Sequence, residues 1–99
     1  MIKHIVCWKI KEGLNKEVCG PEIKNRLLGL KDQIKQLKHI EVGINSEDSS
    51  KGNYDVVLVS EFNSIKDLEA YTGHPAHIKA GTYVKSVTAE RVAVDYEFE

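Results

Sequence analysis

The sequence predicts an α+β fold: a four-stranded antiparallel sheet with helices packed on one face. Three observations predict it. Four stretches read as strands, either by apolar residues recurring with a period of two or, at Val56-Val57-Leu58-Val59, by a continuous apolar run. Between them, apolar residues recur at spacings of three and four, which puts them on one side of a helix. The order of these stretches is β-α-β-β-α-β, the split βαβ arrangement.

Residues 2–10 read as the first strand, with Ile2, His4, Val6, Trp8 and Ile10 on one face. Ile5 and Cys7 lie on the other, and Lys3 and Lys9 fall towards the ends. Both faces are apolar in the middle, so both should be covered. Glu12-Gly13 ends the strand, and Asn15 is placed to cap a helix. Ile23, Leu27, Leu30, Ile34 and Leu37 then form one apolar helical stripe. Gly20-Pro21 is awkward inside it. Either the helix begins at Pro21, or an earlier turn from Lys16 is kinked there. Gly29 and the Lys/Gln alternation after it predict a weaker or bent second half.

His39 to Ile44 alternates as a second strand, and residues 45–53 are a polar loop rich in turn formers. Tyr54 to Phe62 is the third strand. Its continuous Val56-Val57-Leu58-Val59 run marks a central strand buried on both faces. Asn63 or Ser64 caps a helix carrying Ile65, Leu68 and Tyr71, and Gly73 breaks it. His74-Pro75 opens a further helical segment to about Lys85, and Val87 to Phe98 is the last strand.

All 99 residues belong to one domain. A chain this short has a marginal core unless something adds to it. The helices cover one sheet face. Ile5, Cys7, Val57, Val59 and one set from the last strand lie on the other, which is bare in a monomer. An exposed apolar sheet marks an interface. The expectation is a homodimer whose two sheets pack face to face across a two-fold axis.

Composition narrows the function. The net charge of −1 comes from interleaved Lys and Glu. No basic stripe is present to displace counterions, so no nucleic-acid partner is expected. No apolar run is long enough to cross a bilayer, and Met1-Ile2-Lys3-His4 does not open a signal peptide. No membrane association is expected, and the location expected is cytoplasmic. Cys7 and Cys19 match neither a Cys-x-x-Cys pair nor a zinc spacing, and read as free thiols. No cofactor is expected.

One cluster carries possible chemistry: Tyr71, then His74-Pro75-Ala76-His77 where a helix starts. Histidine exchanges protons near neutrality without extreme tuning. His77 is a candidate base for a proton α to a carbonyl, and Tyr71 a candidate donor to the resulting enolate. The alternative is that His77 packs or caps the helix. His74 precedes proline, which biases it to extended backbone and to an N-cap role. His4, on the helix-facing side of the first strand, either reaches the same cavity or is a satisfied core histidine. Val6, Trp8, Val56 and Leu58 line that cavity or fill it, and Trp8 is placed to stack on a planar ligand. His4, His74 and His77 lack an acidic residue to complete a ligand spacing, so no metal is expected.

The chain resembles the stress-responsive α/β-barrel (dimeric α+β barrel) proteins over nearly its whole length. The resemblance rests on Ile2-Lys3-His4-Ile5-Val6, Glu41-Val42-Gly43 and Asp55-Val56-Val57-Leu58-Val59-Ser60-Glu61-Phe62. It continues through Asp67-Leu68-Glu69-Ala70-Tyr71-Thr72-Gly73-His74-Pro75-Ala76-His77 and Val94-Asp95-Tyr96. The His-Pro-x-His block is its most specific part. It implies a ferredoxin-like protomer, a homodimeric barrel and no fixed reaction. One branch it resembles contains a plant polyketide cyclase, olivetolic acid cyclase, which closes a linear poly-β-ketone. The acid–base pair of that branch falls on Tyr71 and His77, and a pocket histidine falls on His4. A second pocket histidine falls at Val56, where this chain departs from the cyclase pattern.

Two readings of function result. One is a homodimer that binds a small molecule between sheet and helices. The other is a cyclase or lyase acting on a β-keto compound through Tyr71 and His77. Fold analogy alone offers a third, a cofactor-free monooxygenase or haem-degrading enzyme.

Overall fold

The computed structural model describes residues 1–99. Its elements are β1 (Ile2–Ile10), α1 (Lys16–Leu28), β2 (His39–Ile44), β3 (Val56–Phe62), α2 (Ile65–Thr72), α3 (Pro75–Val87) and β4 (Thr88–Glu97). The sheet order is β2-β3-β1-β4 with every neighbouring pair antiparallel. This is the ferredoxin-like arrangement: β3 slots between β1 and β2, and the helices lie on one face.

Helix α1 starts at Lys16, where the Asn15 side chain accepts a hydrogen bond from the Glu17 N–H at 2.9 Å. Pro21 therefore lies inside the helix. The helix is also shorter than its apolar stripe. It stops at Leu28 and tightens into a 3₁₀ turn over Gly29–Asp32. The Gln33 side-chain amide donates to the Gly29 carbonyl at 3.0 Å and braces this turn. Ile34 and Leu37 follow in turns, yet each is only 1% exposed. Tertiary packing extends the stripe after the helical hydrogen bonds have ended.

β3 begins at Val56, two residues later than the pattern predicts. The Asp55 carboxylate accepts from the Ile10 N–H at 2.8 Å and from the Lys16 ammonium at 3.0 Å. That aspartate ties the end of β1 to the start of α1, while its backbone N–H donates to the Trp8 carbonyl at 2.8 Å and its carbonyl accepts from the Asn45 N–H at 2.9 Å. Helix α3 runs on to Val87, two residues past the predicted end, and β4 follows without a loop.

The core lies between the helices and the inner side of β1, β2 and β3. Ile23, Leu27 and Leu30 from the helical side meet Val6, Leu58 and Phe62 from the sheet. β4 departs from this plan. Its helix-facing residues pair with those of β1 (Arg91 with Trp8, Ala93 with Val6, Asp95 with His4), and all three are exposed. The helices thus cover three strands, where the sequence predicted a fully covered face. On the opposite face Ile5, Cys7, Val57 and Val59 are half-buried. Val92 at 49%, Val94 at 53% and Tyr96 at 42% extend that apolar surface into solvent. Cys7 and Cys19 are free. No helix is long and apolar enough to cross a membrane.

Candidate functional site

The break between α2 and α3 builds the site. Gly73 caps α2, and its N–H donates to the Glu69 carbonyl at 3.0 Å. His74 is extended and caps α3: its Nδ1 accepts from the Ala76 N–H at 3.0 Å. Pro75 takes the first helical position, where its missing N–H costs no helical bond. The turn so formed carries His77 back over Tyr71. Their ring centroids are 4.5 Å apart with planes at 60°. Residues six apart in sequence thereby share one corner of the molecule.

Phe62, the last residue of β3, lies on the other side of Tyr71 at 4.9 Å. His4 meets the edge of Phe62 at 6.5 Å. His4 Nδ1 is hydrogen-bonded to the Asp95 carboxylate of β4. This holds the imidazole orientation and leaves Nε2 as its other nitrogen. The Ser60 hydroxyl donates to the His4 carbonyl at 3.3 Å.

The Tyr71 side chain is fully buried, and its hydroxyl has no hydrogen-bond partner. No other buried side-chain polar atom is left so. Burial raises the Tyr71 pKa far above that of an ordinary phenol. Burial likewise lowers the pKa of the half-buried His77, opposed by the nearby Thr72 backbone and helped by the positive fields of His4, Arg91 and Lys85. At neutral pH the phenol keeps its proton and the imidazole is uncharged. A donor and an acceptor stand side by side in those states.

The other sequence-predicted site residues divide into groups. His4 joins the Tyr71–His77 cluster through Phe62. His74 stands next to it and spends Nδ1 on the helix cap. Val6, Trp8, Val56 and Leu58 are between 1% and 7% exposed and belong to the hydrophobic core behind the cluster. The large cavity, about 620 Å³, lies elsewhere. It opens between the start of α1 and the 45–55 loop, beside Lys16, Pro21, Asn53 and Asp55, and reaches none of the predicted site residues. No three His, Cys, Asp or Glu side chains gather closely enough to hold a metal ion.

Asp95 and Arg91 were missed by sequence reasoning. Alternation places them on one face of the last strand, but their partners depend on register. That register shifts between Lys9 and Ile10 at a bulge that no sequence motif announces.

The family model described as the stress responsive A/B barrel domain matches residues 2–98. No curated protein matches the chain. Among solved structures, a dimeric ferredoxin-like protein of unknown function from Bacteroides fragilis is 33% identical, with a TM-score of 0.87 over 98% of this chain and 95% of that one. A dimeric ferredoxin-like protein of unknown function from Thermobifida fusca is 26% identical, with a TM-score of 0.86 over 98% and 90%. A hydroxynitrile lyase from Passiflora edulis shares the fold at 16% identity, with a TM-score of 0.83 over 99% and 93%.

Proposed function

The chain belongs to the stress responsive A/B barrel domain family, and from that membership we propose that it acts as a homodimer binding a small carbonyl-bearing molecule where Tyr71 and His77 meet. The observation that carries this reading is the buried, unpartnered Tyr71 hydroxyl. Leaving such a group unpaired costs about 1–3 kcal/mol. A ligand oxygen seated past the half-buried His77 ring supplies the missing acceptor. The bare sheet face and the dimeric relatives support the assembly.

The test is native mass spectrometry of the gently purified protein, then denaturation to identify whatever it releases. A dimer that releases a carbonyl compound, and fails to do so as His77→Gln, supports the reading. An empty protein that takes up no carbonyl compound on incubation removes it.

A second reading is favoured by the protonation states of the pair. His77, uncharged, removes a proton α to a carbonyl, and the Tyr71 O–H stabilises the enolate oxygen. The enolate carbon attacks a second carbonyl of the same chain, one C–C bond forms, and the new alkoxide takes the proton back from His77. That is the aldol closure of the olivetolic acid cyclase branch. Val56, a core residue here, stands where that branch carries a histidine, so the polar end of the site is smaller. Turnover of a linear poly-β-ketone that disappears in both Tyr71→Phe and His77→Gln supports catalysis, and no turnover by the unmodified protein leaves binding alone.

A further inference from the structure

The open side of β4 borders the site, and its charge is uneven. Helix α3 runs beside β4 in the opposite direction. Its last residue, Val87, accepts from the Lys11 N–H at 2.9 Å near one end of β1, while His77 packs on Tyr71 at the other. From the Val87–Thr88 junction the helix rises about 1.5 Å per residue and the strand about 3.3 Å. His77 and Ala93 therefore stand level, roughly 15 Å from the junction, and Gly81 and Arg91 stand level at roughly 10 Å.

Gly81 and Ala93 are small, and a Cβ placed on Gly81 would meet nothing within 4 Å. Because Arg91, Ala93 and Asp95 are exposed on the helix-facing side of β4, that side is left open beside α3 as a groove. His77, Gly81 and Lys85 recur every four residues on the helix and form one stripe along it. Arg91 faces this groove from the strand, because it pairs with Trp8 on the helix-facing side. Neither Arg91 nor Lys85 belongs to an ion pair. Of the acids on that side of β4, Asp95 is engaged by His4, and Glu97 pairs with Ile2 at the far end. The fields of Arg91 and Lys85 both act on the His77 imidazole. Two uncommitted positive charges thus act on the histidine whose ring packs on Tyr71, the residue with the unpartnered, buried hydroxyl.

We infer that this groove selects carbonyl compounds bearing a carboxylate, with Arg91 receiving the carboxylate and Lys85 adding a second positive charge. The inference rests on the small-molecule reading and adds the charge of the ligand to it. A guanidinium fork matches a carboxylate with two parallel hydrogen bonds. The offset of about 5 Å between the levels of Arg91 and His77 suits a carboxylate a few bonds from the carbonyl, as in a β- or γ-keto acid. Arg91 is a specificity residue in this assignment, and it leaves proton transfer to His77.

The experiment is calorimetric titration at neutral pH and low salt with two stable probes, 4-oxo-4-phenylbutanoate and its uncharged amide. The unmodified protein should bind the acid at least about tenfold more tightly than the amide, a difference of about 1.4 kcal/mol. Arg91→Gln should bring the acid to the affinity of the amide and leave the amide unchanged. The exposed side chain makes a folding defect unexpected, and an unaltered thermal melt checks this. Equal binding of acid and amide, both weakened by His77→Gln, overturns the charge assignment and leaves the small-molecule reading standing. A preference for the acid that survives Arg91→Gln also overturns it. Failure of both probes to bind at millimolar concentration overturns the two together.

Discussion

At the scale of single residues, Tyr71 and His77 differ from their neighbours because each carries a feature that folding alone does not reward. Replacing Tyr71 by Phe keeps the ring contacts at 4.5 and 4.9 Å and removes only the unpartnered hydroxyl. The expected result is a stability gain of about 1 kcal/mol. For a chain of this length that raises the melting temperature by about 4–8 °C, while ligand binding is lost. A purely structural tyrosine would show no such opposition, so a destabilised Tyr71→Phe would tell against the site. His77 supplies a second test. Its folded pKa lies below the ordinary value of 6.5, chiefly through burial. As pH falls below about 6.5, the unfolded chain binds a proton that the folded His77 refuses, so stability declines until the lower folded pKa is passed. Above that window the term vanishes. Melting temperatures measured from pH 8 to pH 5 should fall less for His77→Gln than for the unmodified protein. Parallel curves would show that burial does not hold the imidazole uncharged.

Among the elements, the α2–α3 break decides whether the two rings meet. Gly73 ends one helix, and the His74 side chain starts the next. His74→Ala removes a cap worth about 1 kcal/mol, whereas His74→Asn offers an equivalent acceptor. Thermal melts should separate the two by several degrees. The alanine variant should also weaken any ligand that depends on Tyr71 and His77, because the first turn of α3 carries His77. Identical melts would mean that Pro75 alone starts the helix. Much of this level was legible in the sequence. Asn15 and Ser64 cap as their types predict, with hydrogen bonds of 2.9 and 3.1 Å, and Pro75 holds His74 in the extended backbone of an N-cap. What was not legible was where backbone hydrogen bonding stops under a continuing apolar pattern. Ile34 and Leu37 keep the helical spacing and the burial of a helix without being in one. Periodicity reports which side chains face the core, and a turn can present them as well as a helix does.

For the whole molecule, the βαββαβ order and the bare sheet were readable from alternation, because burial on one side of a strand leaves a period of two. The register of β4 was not, since it depends on a bulge and on partners far away in sequence. Yet that register decides which side of β4 serves which purpose. Val92 and Val94 pair with Cys7 and Ile5 on the bare face, and Arg91, Ala93 and Asp95 lie on the other. A dimer through the bare face therefore has a test that uses neighbouring residues as each other's control. Val94 is 53% exposed in one protomer, so Val94→Asp should change protomer stability little. Buried in a two-fold interface, it would set two carboxylates into an apolar contact and split the dimer. Ala93→Asp adds the same charge one residue away and should leave the dimer intact, while placing a negative charge opposite His77. Light scattering should give twice 11.2 kDa for the unmodified protein and for Ala93→Asp, and 11.2 kDa for Val94→Asp. If Val94→Asp remained a dimer, the interface would have to lie elsewhere, and the half-buried Ile5, Cys7, Val57 and Val59 would need another cover. If Ala93→Asp were the variant that dissociated, the open side of β4 would be the contact surface, and the groove beside His77 would be closed by the partner.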